Sequence, residues 1–232
     1  MNRYYDSSIQ EGMNLLPTDE AKHCAQVLRQ KEGDEILVMD GVGGLYASVL
    51  RRVSKREVEY EVYSVDQSTE RLSKIHLAIA PTKNMDRMEW LVEKLSEIGV
   101  DRISFLETQN SERRKLRMDR LEKKAVSAMK QSGNPFLLKI GNLLSFDSIV
   151  SEDTSEIKLI AHVDKDHQYV TELLQPSKNI TILIGPEGDF TEDEVKRAQS
   201  GGFAPISLGH NTLRTETAGF VACCFVNMIN RV

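Results

Sequence analysis

A chain of 232 residues that is 40% hydrophobic and 28% charged has room for one large or two modest domains and enough apolar residues to bury a core. Its net charge of -5 argues against a protein that coats nucleic acid over its whole surface, so any such contact must come from a local basic patch. Three cysteines (Cys24, Cys223, Cys224) with no CxxC pair argue against a disulfide framework and for a reducing cytosol. The five histidines lack metal-ligand spacing, so no structural zinc is expected.

The N-terminus, Met1 to Asp6, has no apolar signal core. A helix is predicted over Thr18–Gln30, stopping near Gly33. Three short strands follow: Glu35–Met39, ended by the Asp40-Gly41 turn, then Leu45–Val53 and Glu57–Val65. That spacing suggests a small β-barrel or sandwich over residues 1–70. Asp66 to Ser73 is polar and patternless, the natural linker.

From residue 74 to 232 the rhythm changes. Strands are predicted over Ile75–Ala80, Arg102–Leu106, Ile157–Val163, Ile180–Ile184 and Ile206–Leu208. Helices are predicted over Asp86–Ile98, Arg117–Gln131, His167–Leu174, Glu192–Gln199 and Thr215–Asn230. Strands alternating with helices imply a mostly parallel α/β sheet. The longest apolar run, Ala218 to Ile229, is too short and too interrupted to span a bilayer and reads as a buried helix.

Two corners in this second region carry the chemistry. Leu183 to Phe190 (LIGPEGDF) runs from a buried strand through the Gly185-Pro186-Glu187-Gly188 turn into a helix start. Thr191 and Glu194 are spaced as a capping box there. Ser207 to Ala218 (SLGHNTLRTETA) repeats the strand, glycine loop, helix-start pattern, with Thr215 or Thr217 as cap. Either corner alone is an ordinary structural turn. Together, on successive strands, they favour the walls of one pocket at the carboxyl ends of a sheet. Arg214 stands beside a helix N-terminus, where the dipole disfavours a cation, so it is expected to meet an anion. Neither corner has Walker A or G-x-G-x-x-G spacing.

The two late segments resemble those of SPOUT-superfamily RNA methyltransferases, most closely the RsmE family, which methylates N3 of a uridine in small-subunit 16S ribosomal RNA. His23 with Val27-Leu28-Arg29, Gly33-Asp34 and Asp40-Gly41 is similar to the family's N-terminal region. Lys83, Met88-Glu89-Trp90, Lys94, Glu97 and Gly99 are similar to its first helix, and Ser111-Glu112-Arg113 and Gln131-Ser132-Gly133 match shorter signatures. Thr212 and Asn134 depart from basic residues often found there.

The resemblance implies a PUA-like RNA-binding β-barrel followed by a SPOUT α/β domain with a deep trefoil knot, a homodimer sharing its active site, and a cytoplasmic place of action. It implies S-adenosylmethionine held by three loops: the one after Ile160-Ala161-His162-Val163, the turn Ile184, Gly185, Pro186, Glu187 and Gly188, and the segment with Leu208, Gly209, Leu213, Arg214 and Thr215. No metal is required. Arg214 suits stabilisation of a uridine anion; Glu187 is either a base or a cap on a neighbouring helix. Arg113, Arg114, Lys115 and Arg117 head a basic run, and Arg29, Arg51 and Arg52 with Lys55 and Arg56 make a smaller one on the barrel, both candidates for phosphate contact. Trp90, Phe105, Cys223 and Cys224 read as core, and His210 as exposed. The competing readings are a SPOUT enzyme of another specificity, such as ribose 2′-O methylation, and a non-catalytic RNA-binding ribosome-assembly factor.

Overall fold

The structure is a computed structural model that describes residues 1–113, 115–162 and 168–230. By contacts the chain forms two units, residues 1–70 with 126–137 and residues 71–125 with 138–232.

The first unit is built on a five-stranded, barrel-like sheet. β1 (Asn2–Tyr5) runs parallel to β3 (Glu35–Met39). β4 (Gly44–Val53) and β5 (Val58–Gln67) continue it antiparallel, and β2 (Met13–Leu15) closes the order β1-β3-β4-β5-β2. The Asp40-Gly41 turn joins β3 to β4. Its geometry is fixed by Asp40 Oδ1, which accepts from the N–H groups of Val42 and Gly44 at 2.7 and 2.9 Å. Tyr4, Cys24, Ile36, Val38, Leu50 and Tyr60 fill the core.

The expected helix over Thr18–Gln30 is shorter and changes type. α1 (Thr18–Lys22) passes into a π-turn, His23–Val27, closed by Leu28 N–H donating to the His23 carbonyl at 3.0 Å. The extra residue places Cys24 in the core, and Arg29 at φ +51° ends the helix.

The second unit carries a seven-stranded, all-parallel sheet. In chain order it contains β6 (Ile75–Ile79), α2 (Met85–Glu97), β7 (Arg102–Glu107), the first half of α3 (Met118–Ser132, whose residues from 126 on belong to the first unit), β8 (Lys139–Ser145) and α4 (Phe146–Glu152). β9 (Ile157–Ala161), β10 (Gln168–Tyr169), α5 (Val170–Leu173), β11 (Ile180–Ile184), α6 (Glu192–Ser200), β12 (Ala204–Ser207) and α7 (Thr215–Asn230) follow. The strand order is β10-β12-β9-β11-β6-β7-β8. Parallel strands covered on both faces become uniformly apolar, and β11 is buried at all five positions. The chain path that would define the expected knot passes residues 163–167, outside the described residues, as are Arg114, Val163 and His167 from the predicted segments.

A polar network sits near the amino ends of these strands. Asp153 accepts from Thr181 Oγ1 at 2.6 Å and from Ser155 N–H at 2.9 Å, with His76 Nδ1 at 3.8 Å. Burial alone would raise the Asp153 pKa; His76, Thr181 and Ser155 outweigh it and hold the carboxyl at about 2. Two expectations of core residues divide. Phe105 and Cys223 are fully buried, and burial pushes the Cys223 thiol up. Trp90 instead is 39% exposed and meets Phe220 edge to face, ring centres 5.7 Å apart. No helix among the described residues is long and apolar enough to cross a membrane.

Candidate active site

β9, β11 and β12 are adjacent in the sheet, so the loops leaving their carboxyl ends converge. They enclose a cavity of about 870 Å³. His162 enters from the first loop, Ile184, Gly185, Pro186 and Glu187 from the second, and Leu208, Gly209, Leu213, Arg214 and Thr215 from the third. Ile184, Gly185, Pro186 and Ile206 form a buried floor; Glu187, His210 and Arg214 stand exposed at the mouth. Gly188 is not among the lining residues. Its carbonyl instead accepts from Asn110 Nδ2 at 3.0 Å.

The second loop is the most firmly built. Thr191 and Glu194 make both halves of a capping box, fixing the start of α6. The other Glu194 carboxylate oxygen accepts from Gln109 N–H at 2.8 Å. Asp189 is held left-handed, at φ +57°, with Asn110 Nδ2 also donating to its carbonyl at 3.0 Å. Asp189 Oδ2 lies 2.8 Å from His162 Nδ1, tying the second loop to the first. A Cβ on Gly185 would come within 3.1 Å of the Phe190 ring and 3.2 Å of its backbone nitrogen, so only glycine fits there without a shift. Gly209, at φ +132°, is needed for its conformation instead.

Two candidate residues turn out to hold a loop. Glu187 Oε1 accepts from Lys83 N–H at 3.2 Å, just ahead of α2, whose N-cap is Asn84. Arg113 Nε donates to the carbonyls of Thr82 and Lys83 at 3.1 and 3.2 Å. The Arg113 guanidinium therefore clamps the segment that Glu187 also holds. Elsewhere in the basic run Arg117 pairs with Asp119, Arg120 with Glu89 and Lys124 with Glu93. On the barrel, Arg51 pairs with Glu61, and Arg52 with Glu57 and Glu59. Arg29, Lys55 and Arg56 are exposed and meet no carboxylate among the described residues. Gln26 Nε2 donates to the Lys55 carbonyl at 3.2 Å, so the π-turn and the β4–β5 hairpin share one surface. The described residues contain no group of three metal-ligating side chains. Sequence reasoning passed over Tyr169 and Asn110, which no motif marks, and gave no role to Asp189, although it lies inside the LIGPEGDF corner.

A family model for an RNA methyltransferase domain matches residues 69–227, and one for an RNA methyltransferase PUA domain matches residues 16–63. Fold and site thus define an RNA methyltransferase with a PUA domain at its N-terminus. Among curated proteins, the ribosomal RNA small subunit methyltransferase E of Buchnera aphidicola is 31% identical, over 88% of this chain and 84% of its own. Among solved structures, a probable rRNA methyltransferase from Porphyromonas gingivalis superposes with TM-score 0.93 at 38% identity, covering 100% of this chain and 99% of its own. The ribosomal RNA small subunit methyltransferase E of Neisseria gonorrhoeae, bound to S-adenosyl methionine, gives 0.90 at 27% identity, covering 99% and 98%. The chain belongs to the ribosomal RNA small subunit methyltransferase E family, as its late motifs predict.

Proposed function

We propose that this protein methylates N3 of a uridine in small-subunit ribosomal RNA, using S-adenosylmethionine, as a cytoplasmic homodimer. The observation that carries the reading is the convergence of three loops on one cavity with a cation, Arg214, at its mouth. The residues present fit the cofactor. The apolar floor of Ile184, Pro186 and Ile206 suits an adenine and a carbon chain, and the bare backbone at Gly185 and Gly209 allows close approach. When bound, S-adenosylmethionine supplies an activated methyl group on a sulfonium.

The protein's share is positioning, exclusion of water and management of one proton. Uridine N3 must lose its proton, which passes to solvent at the exposed mouth of the cavity, before it becomes a nucleophile. Arg214, exposed at the mouth, is placed to stabilise the anion left on the ring oxygens. Glu187 acts by holding the segment before α2 rather than as the base. RNA phosphates are met by Arg29, Lys55 and Arg56 on the barrel and by Lys115, exposed cations that meet no carboxylate among the described residues. Support for the homodimer comes from α7, where Met228 is 71% exposed, and from the half-exposed Trp90 beside Phe220.

The test is Arg214→Ala in the purified protein. The variant should bind S-adenosylmethionine by calorimetry within about threefold of wild type and lose at least about a hundredfold in methyl transfer to small ribosomal subunits. Full activity would remove Arg214 from the chemistry.

A further inference from the structure

Two aromatic side chains stand together at the mouth of the cavity. Tyr169 ends β10, whose pairing with β12 sets it beside Ser207. His210 follows Gly209 on the loop from β12 to α7. Tyr169 Oη and His210 Nε2 are 3.0 Å apart, and the rings meet edge to face, with centres 5.9 Å apart and planes at 82°. Both line the cavity and both face solvent, Tyr169 at 40% exposure. The buried floor offers no aromatic ring; Ile184, Gly185, Pro186 and Ile206 make it. Tyr169 and His210 are the aromatic side chains at the exposed rim of this cavity.

We propose that the Tyr169 ring, braced edge to face by His210, forms the platform on which the target uracil stacks once it has left the RNA, with its N3 edge turned toward Arg214 and the cavity. This rests on the reading that the protein methylates a uridine. N3 lies on the Watson–Crick edge, which pairing and stacking hide, so the base must be unstacked to be reached. Its exposed faces then need cover, which stacking on an aromatic side chain supplies. The hydrogen bond between the rings fixes their orientation beforehand, so little freedom is lost when the base arrives. Volume agrees: about 870 Å³ lies near the top of the roughly 300–1,000 Å³ range for a single small ligand, which leaves space for a base ring beside a cofactor. Arg214 lines the same cavity from the same loop as His210, so platform and cation approach one acceptor.

The experiment compares Tyr169→Ala and Tyr169→Phe with wild type. It measures S-adenosylmethionine affinity by calorimetry and steady-state methylation of small ribosomal subunits. Tyr169→Ala should lower kcat/KM for the RNA by about ten- to a hundredfold while cofactor affinity stays within about twofold. Tyr169→Phe keeps the ring and should restore most of that loss. Wild-type kcat/KM in Tyr169→Ala would overturn the platform. A parallel fall in cofactor affinity would also overturn it, because the pair would then serve the cofactor. If wild type binds S-adenosylmethionine but transfers no methyl group to any RNA, the functional reading itself fails and takes the platform with it.

Discussion

Asp153→Asn should cost the protein stability in a way that depends on pH. The Asp153 side chain is largely covered by Thr181, Ser155 and His76, near the amino ends of the sheet and opposite the end that forms the cavity. Its pKa falls from an ordinary 3.8 to about 2. A carboxyl whose folded pKa is depressed stabilises the fold above its unfolded pKa, and that stability is lost as pH falls through the folded value. The shift corresponds to roughly 2 kcal/mol, fully present above about pH 5 and gone below about pH 2. Asparagine keeps the shape and one acceptor but removes the charge. The variant should therefore unfold roughly 4–8 °C lower at neutral pH. The gap to wild type should close between pH 4 and 2. Thermal melts followed by circular dichroism at pH 7, 4 and 2.5 give the comparison, and taking the difference cancels the other carboxylates. A gap that stays constant from pH 7 to 2.5 would refute the reasoning.

Other sites make separate demands. Asn110→Ala removes both donors that hold Gly188 and Asp189, so S-adenosylmethionine affinity should weaken by about five- to tenfold while the melting temperature moves little; unchanged affinity in calorimetry would contradict this. Neutralising Arg29, Lys55 and Arg56 together should reduce the slope of log K against log salt for RNA binding by about 2, whereas neutralising Arg51 and Arg52 should leave it nearly unchanged. Equal effects of the two sets would show that the carboxylate partners do not matter.

Much of this was legible in the sequence because it is local. The Asp40-Gly41 turn, the capping box at Thr191 and Glu194, and the glycine corners before α6 and α7 each announce themselves within a few residues. The α/β alternation likewise follows from periodicity. What stayed hidden depends on distant partners or weak patterns. β8 shows no clean alternation, and its Gly141 is explained only by Ser104 Oγ, which a Cβ would approach to 2.6 Å. β10 is two residues long, too short for any period. The π-turn looks like plain helix until Cys24 is seen to need the core. Arg113 reads as a phosphate contact by composition, but the backbone carbonyls that take its guanidinium lie about 30 positions away in sequence.

The central claim is a methylated uridine, and nucleoside analysis tests it most directly. Small-subunit ribosomal RNA from cells lacking this protein should contain less 3-methyluridine than RNA from their parents, and the purified protein with S-adenosylmethionine should restore it on isolated small subunits. Unchanged 3-methyluridine, or the loss of a 2′-O-methylated nucleoside instead, would contradict the account.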